Sequence, residues 1–206
     1  MFGACQMVRI VVSAVIGYLL GSINLAIIVS KAFMRQDVRE MGSHNAGATN
    51  VARVFGMKMG VVTLIGDFLK TLAAMYAGRA LYGDVGEVVA VGACLVGHCW
   101  PLYFGFKGGK GVATGACVML IIDWRVFVAV VVAFAVAFAL TRIVSISSLA
   151  SATTAPIAVL VFDGIDMPFV LLAFFAAVIV WFNHRENIKR LKNGTETKFK
   201  PGSGKK

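Results

Sequence analysis

Long apolar segments separated by short polar ones run through almost the whole chain. A helix needs about 20 mostly apolar residues to cross a hydrocarbon layer of about 30 Å. The polar connections are too short for a separate soluble domain. The pattern predicts an all-α polytopic membrane protein with one membrane-embedded domain, residues 1–188, and a basic cytoplasmic tail, residues 189–206. The apolar segments are 8–30, 60–82, 88–106, 111–122, 126–140, 145–162 and 168–182.

The fourth apolar segment, 111–122, is too short to cross the bilayer easily as a helix. It is a half-helix, a re-entrant segment or a helix lengthened by its flanks. Seven spans place sixteen Lys and Arg residues on one side and only Arg9, Arg79 and Arg125 on the other. Because cytoplasmic loops are rich in Lys and Arg, we predict seven transmembrane helices, some short or re-entrant, with the N-terminus outside and the C-terminus in the cytoplasm.

Composition supports a membrane protein, since 59% of the residues are hydrophobic and only 15% are charged. The net charge of +10 does not indicate nucleic acid, because no soluble basic domain is present to bind it. A basic membrane face suits anionic lipids or phosphorylated metabolites. The four cysteines lie in or beside apolar segments without a CxxC pair, which predicts buried thiols and no metal site. No cofactor is predicted.

The stretch from Phe106 to Gly115 holds two lysines and four glycines between apolar segments. Glycines let backbone N–H groups approach a ligand closely, and a lysine adds positive charge, so the stretch is typical of a phosphate cradle. A flexible basic turn between two membrane helices has the same composition. The stretch by itself leaves both interpretations open.

The first cytoplasmic loop, 37–53, is unusually polar and glycine-spaced. Its hydrogen-bonding groups and two arginine forks, at positions 39 and 53, suit a phosphate or glycerol-like ligand. A solvated loop held by Asx turns is the alternative. The neutral polar residues of the loop are Ser43, Asn45, Thr49 and Asn50.

Polar residues also occur inside or at the ends of the apolar segments. Asp67 and Lys70 are three residues apart, so they share a helix face and pair; an isolated ionisable group at a helix centre costs about 2.5–3.5 kcal/mol. His98 is either a packing group or a functional one. Ser145 and Ser148 stand at a cytoplasmic helix start, where both can donate to an anion.

His184 and Asn187 follow the last apolar segment and share one face there. Basic residues commonly follow a final membrane helix, but this does not explain a histidine and an asparagine at these positions. In the seven-span topology most of these polar sets fall near the cytoplasmic face, so we expect the functional site there.

Several common catalytic motifs are absent. A Walker A loop needs glycine at 104 and Ser or Thr at 111, but the chain has Phe104 and Gly111. No histidine is followed by an aspartate five residues later, so the histidine–aspartate signature of common acyltransferases is missing. The sequence also lacks a GxSxG nucleophile elbow.

Four blocks together resemble one enzyme family. They are GSHNAGATNVAR (42–53), GHCWPLYFGFKGGKGVAT (97–114), RIVSISS (142–148) and HRENIKRLKNGTE (184–196). In this order they are similar to the bacterial membrane-integral, acylphosphate-dependent glycerol-3-phosphate acyltransferases, the PlsY family. The resemblance implies seven helices in the bacterial inner membrane. It also implies acyl transfer from acyl phosphate to the 1-hydroxyl of glycerol 3-phosphate, giving lysophosphatidic acid and phosphate.

The resemblance carries catalytic roles to six positions, which are Ser43, Arg53, Lys110, Ser148, His184 and Asn187. Substrate or phosphate binding is expected at seven more: Asn45, Thr49, Asn50, Gly108, Gly109, Gly111 and Ser145. His44 stands where the family usually has glycine, and Asn24 where it usually has proline. His184 is either a general base or a bystander to direct attack, in which the substrate's own phosphate takes the proton.

The expected partners are acyl phosphate, glycerol 3-phosphate and the lipid bilayer. The sequence identifies no protein partner. The alternative function is a transporter of a phosphorylated metabolite, because basic loops and broken helices also suit transport. The gathering of cationic groups on one face and the lack of an inverted repeat argue against that alternative.

Overall fold

A computed structural model describes residues 3–162 and 166–200. All regular elements among these residues are helical, as the apolar pattern predicts. The described residues form two compact units, 3–109 and 110–200. The basic composition of the tail, with Gly and Pro near its end, predicts disorder of its last residues; residues 201–206 lie outside the described residues.

The first unit begins with a broken helix, where the sequence predicts one span from 8 to 30. Helix α1 (Ala4–Ser22) is separated from α2 (Leu25–Met34) by a break at Ile23 and Asn24. The Asn24 side chain accepts a hydrogen bond from the Ile27 N–H (3.1 Å) and donates to the Ala46 carbonyl (3.3 Å). Asn24 therefore caps α2 and holds the first loop.

Helix α3 (Ala48–Phe55) leads into α4 (Met57–Cys99), which contains the second predicted span, 60–82, and the larger part of the third, 88–106. The helix of the third span ends earlier than predicted, just before Pro101. The helical backbone of α4 is interrupted at Tyr82 and Gly83. A methyl group on Gly78 would lie only 2.2 Å from the Gly86 carbonyl oxygen. Residues eight apart in a straight helix are about 12 Å apart, so α4 folds back on itself as two arms.

Glycines bring α1 against the second arm of α4. A methyl group on Gly17 would lie 2.1 Å from the Ala90 carbonyl oxygen, and one on Gly21 would lie equally close to that of Cys94. Small residues let helix backbones approach in this way, which provides the packing that holds helices together in a bilayer. The Tyr18 hydroxyl also donates to the Trp100 carbonyl (2.9 Å), so α1 holds the chain where α4 ends.

The second unit contains α5 (Val112–Ile122), α6 (Trp124–Thr141), α7 (Val144–Phe162), α8 (Met167–Asn183) and α9 (Arg185–Lys192). These helices match the last four predicted apolar segments and the start of the tail. Helix α5 is about 16 Å long at 1.5 Å per residue, too short to cross a bilayer. Residues 193–199 of this unit lie against its helices, since the Phe199 N–H donates to the Arg142 carbonyl (2.8 Å).

By length and apolar composition, the described residues include four helical segments able to cross a membrane, or five if α8 and α9, bent by 54°, form one span. One of the four, Met57–Phe104, contains both arms of α4. The fold is therefore an all-helical, multi-pass membrane protein. The count of seven spans and the orientation of the termini stay predictions.

We expect Gly17→Ala to lower the free energy of unfolding by about 3 kcal/mol, at the upper end of overpacking costs, because its methyl group meets the Ala90 backbone. Thermal unfolding in detergent measures this change. Gly115→Ala is the matched control, since no atom lies within 4 Å of a methyl group there and alanine favours a helix by about 1 kcal/mol. Equal unfolding temperatures for the two variants would contradict the close packing of α1 on α4.

Candidate active site

The first loop is organised around the buried side chain of Asn50. Its amide nitrogen donates to the carbonyls of Val38 (2.9 Å) and Met41 (3.0 Å), and its oxygen accepts from the Ser43 N–H (2.8 Å). Three backbone groups are thereby held by one side chain at the first turn of α3. Asn50 shapes the loop and sets the position of Ser43, and its predicted contact with substrate stays a prediction.

The other predicted site residues of the first loop and α3 lie around Asn50. Ser43 and Asn45 are half-buried, Thr49 is exposed in the first turn of α3, and Arg53 is half-buried in its last turn. His44 has a φ of 57°, a backbone conformation that glycine adopts without strain. This explains why glycine suits position 44 in the family that the sequence resembles.

Arg39 connects the first loop to Phe104 and to the beginning of the glycine-rich stretch at Lys107. Its guanidinium donates to the carbonyls of Phe104 (2.8 Å) and Lys107 (3.2 Å), and also to the Asp37 carboxylate (2.8 Å). Hydrogen bonds from Arg39 hold the pKa of Asp37 well below its usual range, although partial burial opposes this shift. Arg39 is therefore a structural clamp between two loops, a role that its sequence context does not reveal.

Gly108 and Gly109 form the end of the first unit and press against the end of α4. Their N–H groups donate to the carbonyls of Cys99 and His98, each at 3.1 Å. A methyl group at either glycine would lie 2.2 Å from an atom of His98. The two glycines thus allow a close approach of loop and helix. Phosphate binding by these amides, which stays a prediction, requires both hydrogen bonds to open.

In the second unit, Lys110 and Gly111 directly precede α5. Gly111 is buried, has a φ of 81° and is the N-cap residue of α5. The first N–H groups of a helix lack acceptors within the helix, so they attract anions together with the positive end of the helix dipole. Lys110 donates from Nζ to Oδ1 of Asn187 (2.5 Å). A lysine and a helix N-terminus therefore lie side by side.

Glu196 joins two of the predicted site residues. Its Oε1 accepts from the Asn187 amide (2.6 Å) and from the Ser145 hydroxyl (2.7 Å), while Oε2 accepts from Arg190 (2.6 Å). Burial raises the pKa of Glu196, but hydrogen bonds from Asn187, Ser145 and Arg190 outweigh burial and leave it below the usual value. A charged carboxylate therefore orients Asn187 toward Lys110.

Ser148 and His184 complete this end of the second unit, and both are buried. The His184 Nδ1 lies 2.7 Å from the Val180 carbonyl. Since a carbonyl only accepts, Nδ1 carries the proton and Nε2 is left as the second ring nitrogen for other contacts. Ser148 and Val180 border an open groove, lined otherwise by Ser151 and apolar residues of α5 to α8, including Ala116, Met119 and Ala152.

The structure thus brings Lys110, Ser145, Ser148, His184 and Asn187 to one end of the second unit. It brings Ser43, Asn45, Thr49, Asn50 and Arg53 together on the first loop and α3 of the first unit. The sequence analysis missed Glu196 as a site residue. Glu196 is the only acid in the basic tail, residues 189–206, and this contrast is a usable signal. The described residues contain no group of three His, Cys, Asp or Glu side chains able to hold a metal ion.

We expect Glu196→Gln to lower the unfolding temperature at pH 7 by about 3–10 °C, because hydrogen bonds to a charged group contribute roughly 1.5–3 kcal/mol. The pKa of Glu196 is lowered in the folded protein, so this stabilisation is present above the unfolded value of about 4.3. It is lost as the pH falls through the folded pKa. Thermal unfolding from pH 3.5 to 8 measures the difference between variant and wild type.

Glu186→Gln is the control for the Glu196 variant. Its carboxylate is exposed and pairs only with Lys189 in the same helix turn, and such surface pairs contribute about 0–1 kcal/mol. The same loss in both variants, or a Glu196 effect that persists at the acid end, would contradict the orienting role of the charge.

Known proteins of one family are similar to this chain. The sequence model of the family described as glycerol-3-phosphate acyltransferase matches residues 11–194. The glycerol-3-phosphate acyltransferase of Carboxydothermus hydrogenoformans is 37% identical over 190 residues, which cover 92% of this chain and 96% of the relative. That of Clostridioides difficile is 38% identical over 195 residues, covering 92% and 95%.

Solved structures agree with the sequence comparisons. The crystal structure of PlsY, an integral membrane glycerol 3-phosphate acyltransferase, in its glycerol 3-phosphate form matches with a TM-score of 0.86 and 33% identity, covering 93% of this chain and 96% of that one. Its lysophosphatidic acid form matches with a TM-score of 0.84 and 32% identity, covering 93% and 95%.

These similarities extend over nearly the whole chain and confirm the family resemblance inferred from the four sequence blocks. They favour an enzyme over the transporter alternative. The chain belongs to the glycerol-3-phosphate acyltransferases of the PlsY family and is a multi-pass membrane acyltransferase of phospholipid biosynthesis.

Proposed function

We propose that the protein transfers an acyl chain from acyl phosphate to the 1-hydroxyl of glycerol 3-phosphate, giving lysophosphatidic acid and phosphate. The observation that carries this proposal is the arrangement at one end of the second unit. Lys110 and the start of α5 form a cationic corner, and an apolar groove begins nearby at Ser148 and Val180. An anionic head joined to an apolar chain suits this combination.

The cationic corner is assigned to the phosphate of the donor. Lys110 supplies a positive charge, and the first N–H groups of α5 supply donors aligned with the helix dipole. Each charge-assisted hydrogen bond contributes roughly 1.5–3 kcal/mol. Asn187, held by Glu196, keeps the Lys110 side chain in place. Ser145 reaches the same carboxylate, which makes it a support for Asn187 in addition to its predicted phosphate contact.

The first loop of the other unit is assigned to glycerol 3-phosphate. Arg53 offers a planar fork that matches phosphate oxygens, and Ser43 offers a hydroxyl whose backbone is fixed by Asn50. Asn45 and Thr49 are further polar groups of this loop for the glycerol hydroxyls. The solved PlsY with glycerol 3-phosphate supports this substrate class.

The acyl transfer is a substitution at the carbonyl carbon of the donor. The 1-hydroxyl oxygen of glycerol 3-phosphate attacks this carbon, the bond from carbon to the phosphate oxygen breaks, and phosphate leaves with the electron pair. Acyl phosphate is already activated, so the protein contributes orientation and stabilisation of the departing charge. Lys110 and the start of α5 provide that stabilisation.

The hydroxyl proton passes to a substrate phosphate in this mechanism. His184 holds its Nδ1–H on the Val180 carbonyl, and its Nε2 serves as a hydrogen-bond partner that orients substrate. Ser148 lines the groove and orients the acyl carbonyl. Neither residue takes part in a covalent intermediate.

We further propose the bacterial inner membrane as the location, with seven spans, the N-terminus outside and the active site near the cytoplasmic face. The excess of Lys and Arg in the loops assigned to the cytoplasm supports this orientation. The two arms of α4 account for the second and third spans, and the short α5 for the re-entrant or half-helical one.

We expect Lys110→Ala to reduce kcat/KM for phosphate release from acyl phosphate and glycerol 3-phosphate by about 10–100-fold, because one charge-assisted bond is lost. Purified enzyme and a phosphate assay measure the rate. Lys107→Ala is the matched control, since its side chain is exposed and Arg39 contacts only its carbonyl. Equal losses in the two variants would contradict the assignment of Lys110 to phosphate binding. Turnover with acyl-CoA but not with acyl phosphate would contradict the assignment of acyl phosphate as the donor.

Burial lowers the pKa of His184 to about 4. We therefore expect His184→Gln to lower kcat by the same factor at every pH from 3.5 to 8.5, because the histidine orients substrate without carrying the transferred proton. Steady-state rates at saturating substrates measure the profile. A general base contributes about 10²–10⁴-fold and adds its own inflection to the profile. Loss of an inflection in the variant would therefore identify His184 as the base.

A further inference from the structure

Three ionisable groups of α4 lie buried in the first unit and have no part in the proposed chemistry. The exposed fractions of Asp67, Lys70 and His98 are 1%, 6% and 2%. Lys70 Nζ lies 2.8 Å from the Asp67 carboxylate, 3.0 Å from the His98 Nδ1 and 3.0 Å from the Ile23 carbonyl. Lys70 therefore forms an ion pair with Asp67 and hydrogen bonds with His98 and the Ile23 carbonyl.

The His98 Nδ1 faces both Lys70 Nζ (3.0 Å) and the Asp67 carboxylate (3.5 Å). Because the Lys70 ammonium only donates, we assign Nδ1 as the acceptor in the shorter contact and the ring proton to Nε2. This Nε2 edge faces the glycine-rich stretch. A methyl group on Gly109 would lie 2.2 Å from Nε2 and 2.9 Å from the Ala46 carbonyl oxygen. The ring thus fills the space that a side chain at position 109 would occupy.

Backbone hydrogen bonds also join the end of α4 to Gly108 and Gly109. Gly109 donates to the carbonyl of His98 and Gly108 donates to that of Cys99. The same turn of α4 therefore holds the loop through its main chain and, at Gly109, through the imidazole ring. Lys70 in turn joins this ring to the break between α1 and α2 at Ile23.

We propose that Asp67, Lys70 and His98 are positioning residues for the glycine-rich loop: Lys70 orients the His98 ring, and the ring sets the place of Gly109. The inference rests on the proposed function, since Gly109 immediately precedes the phosphate-binding Lys110 in the chain. Asp67 balances the Lys70 charge. A purely structural ion pair between Asp67 and Lys70 would need no histidine facing the loop.

A double-mutant cycle tests the contact between His98 and Gly109. We expect Gly109→Ala to lower kcat/KM for glycerol 3-phosphate about tenfold in the wild-type background and at most about threefold when combined with His98→Ala. Removal of the ring relieves the shortest contact of the new methyl group and leaves the contact with the Ala46 carbonyl oxygen (2.9 Å), which accounts for the residual loss. Gly108→Ala is the matched control, because its methyl group meets the His98 carbonyl oxygen, which His98→Ala leaves in place.

Conservative variants separate positioning from stability. The His98→Gln side chain reaches the position of Nε2, whereas that of His98→Asn reaches only the position of Nδ1. We expect the Gln variant to retain more of kcat/KM than the Asn variant at equal unfolding temperature. Rates that follow unfolding temperature alone, or equal Gly109→Ala losses in both backgrounds, would overturn the positioning role.

The same variants distinguish this inference from the proposed function. If wild-type enzyme releases no phosphate from acyl phosphate and glycerol 3-phosphate, the proposed function fails. The cycle is then evaluated through unfolding temperatures, where coupling of His98 with Gly109 but not with Gly108 supports the contact, and equal coupling overturns it.

Discussion

Close approach of backbones at glycine is the constraint on which the first unit depends. In a bilayer, lipid tails are as apolar as side chains, so helices associate mainly through close packing and hydrogen bonds. Gly17 and Gly21 allow α1 to reach the second arm of α4, and Gly78 and Gly86 allow the two arms to meet. At Gly109 the same contact fits a loop against His98. Helix packing and the geometry of the glycine-rich stretch therefore both require positions without a side chain.

A carboxylate organises each unit in a similar way, the buried Asp67 in the first and the half-buried Glu196 in the second. Asp67 holds a lysine that orients a histidine, and Glu196 holds Asn187, which bonds Lys110. In each case an acid fixes a side chain that in turn fixes a part of the glycine-rich stretch. Such fixed groups suit a reaction on an activated donor, because transfer then depends on orientation and charge stabilisation and not on a protein nucleophile.

The sequence predicted much of this site because its residues are chemically unusual for a membrane protein. Lys110, Ser148, His184 and Asn187 stand out against apolar helices, and all four lie at one end of the second unit. The roles of Asn50 and Ser145 were harder to infer, since an amide or hydroxyl that binds backbone or carboxylate has the same sequence signature as one that binds substrate. Glu196 and Arg39 were missed because their partners are distant in sequence.

The sequence by itself determined the membrane class, the apolar helices, the family and the candidate polar residues, because hydrophobic length and local composition carry this information. Only the tertiary structure decided where the first helix breaks, that α4 turns back at Tyr82, and how the glycine-rich stretch is held. Its composition suits a phosphate cradle, yet Gly108 and Gly109 donate to α4 and pack on His98. Long-range contacts decide which atoms a glycine approaches, and no local pattern encodes them.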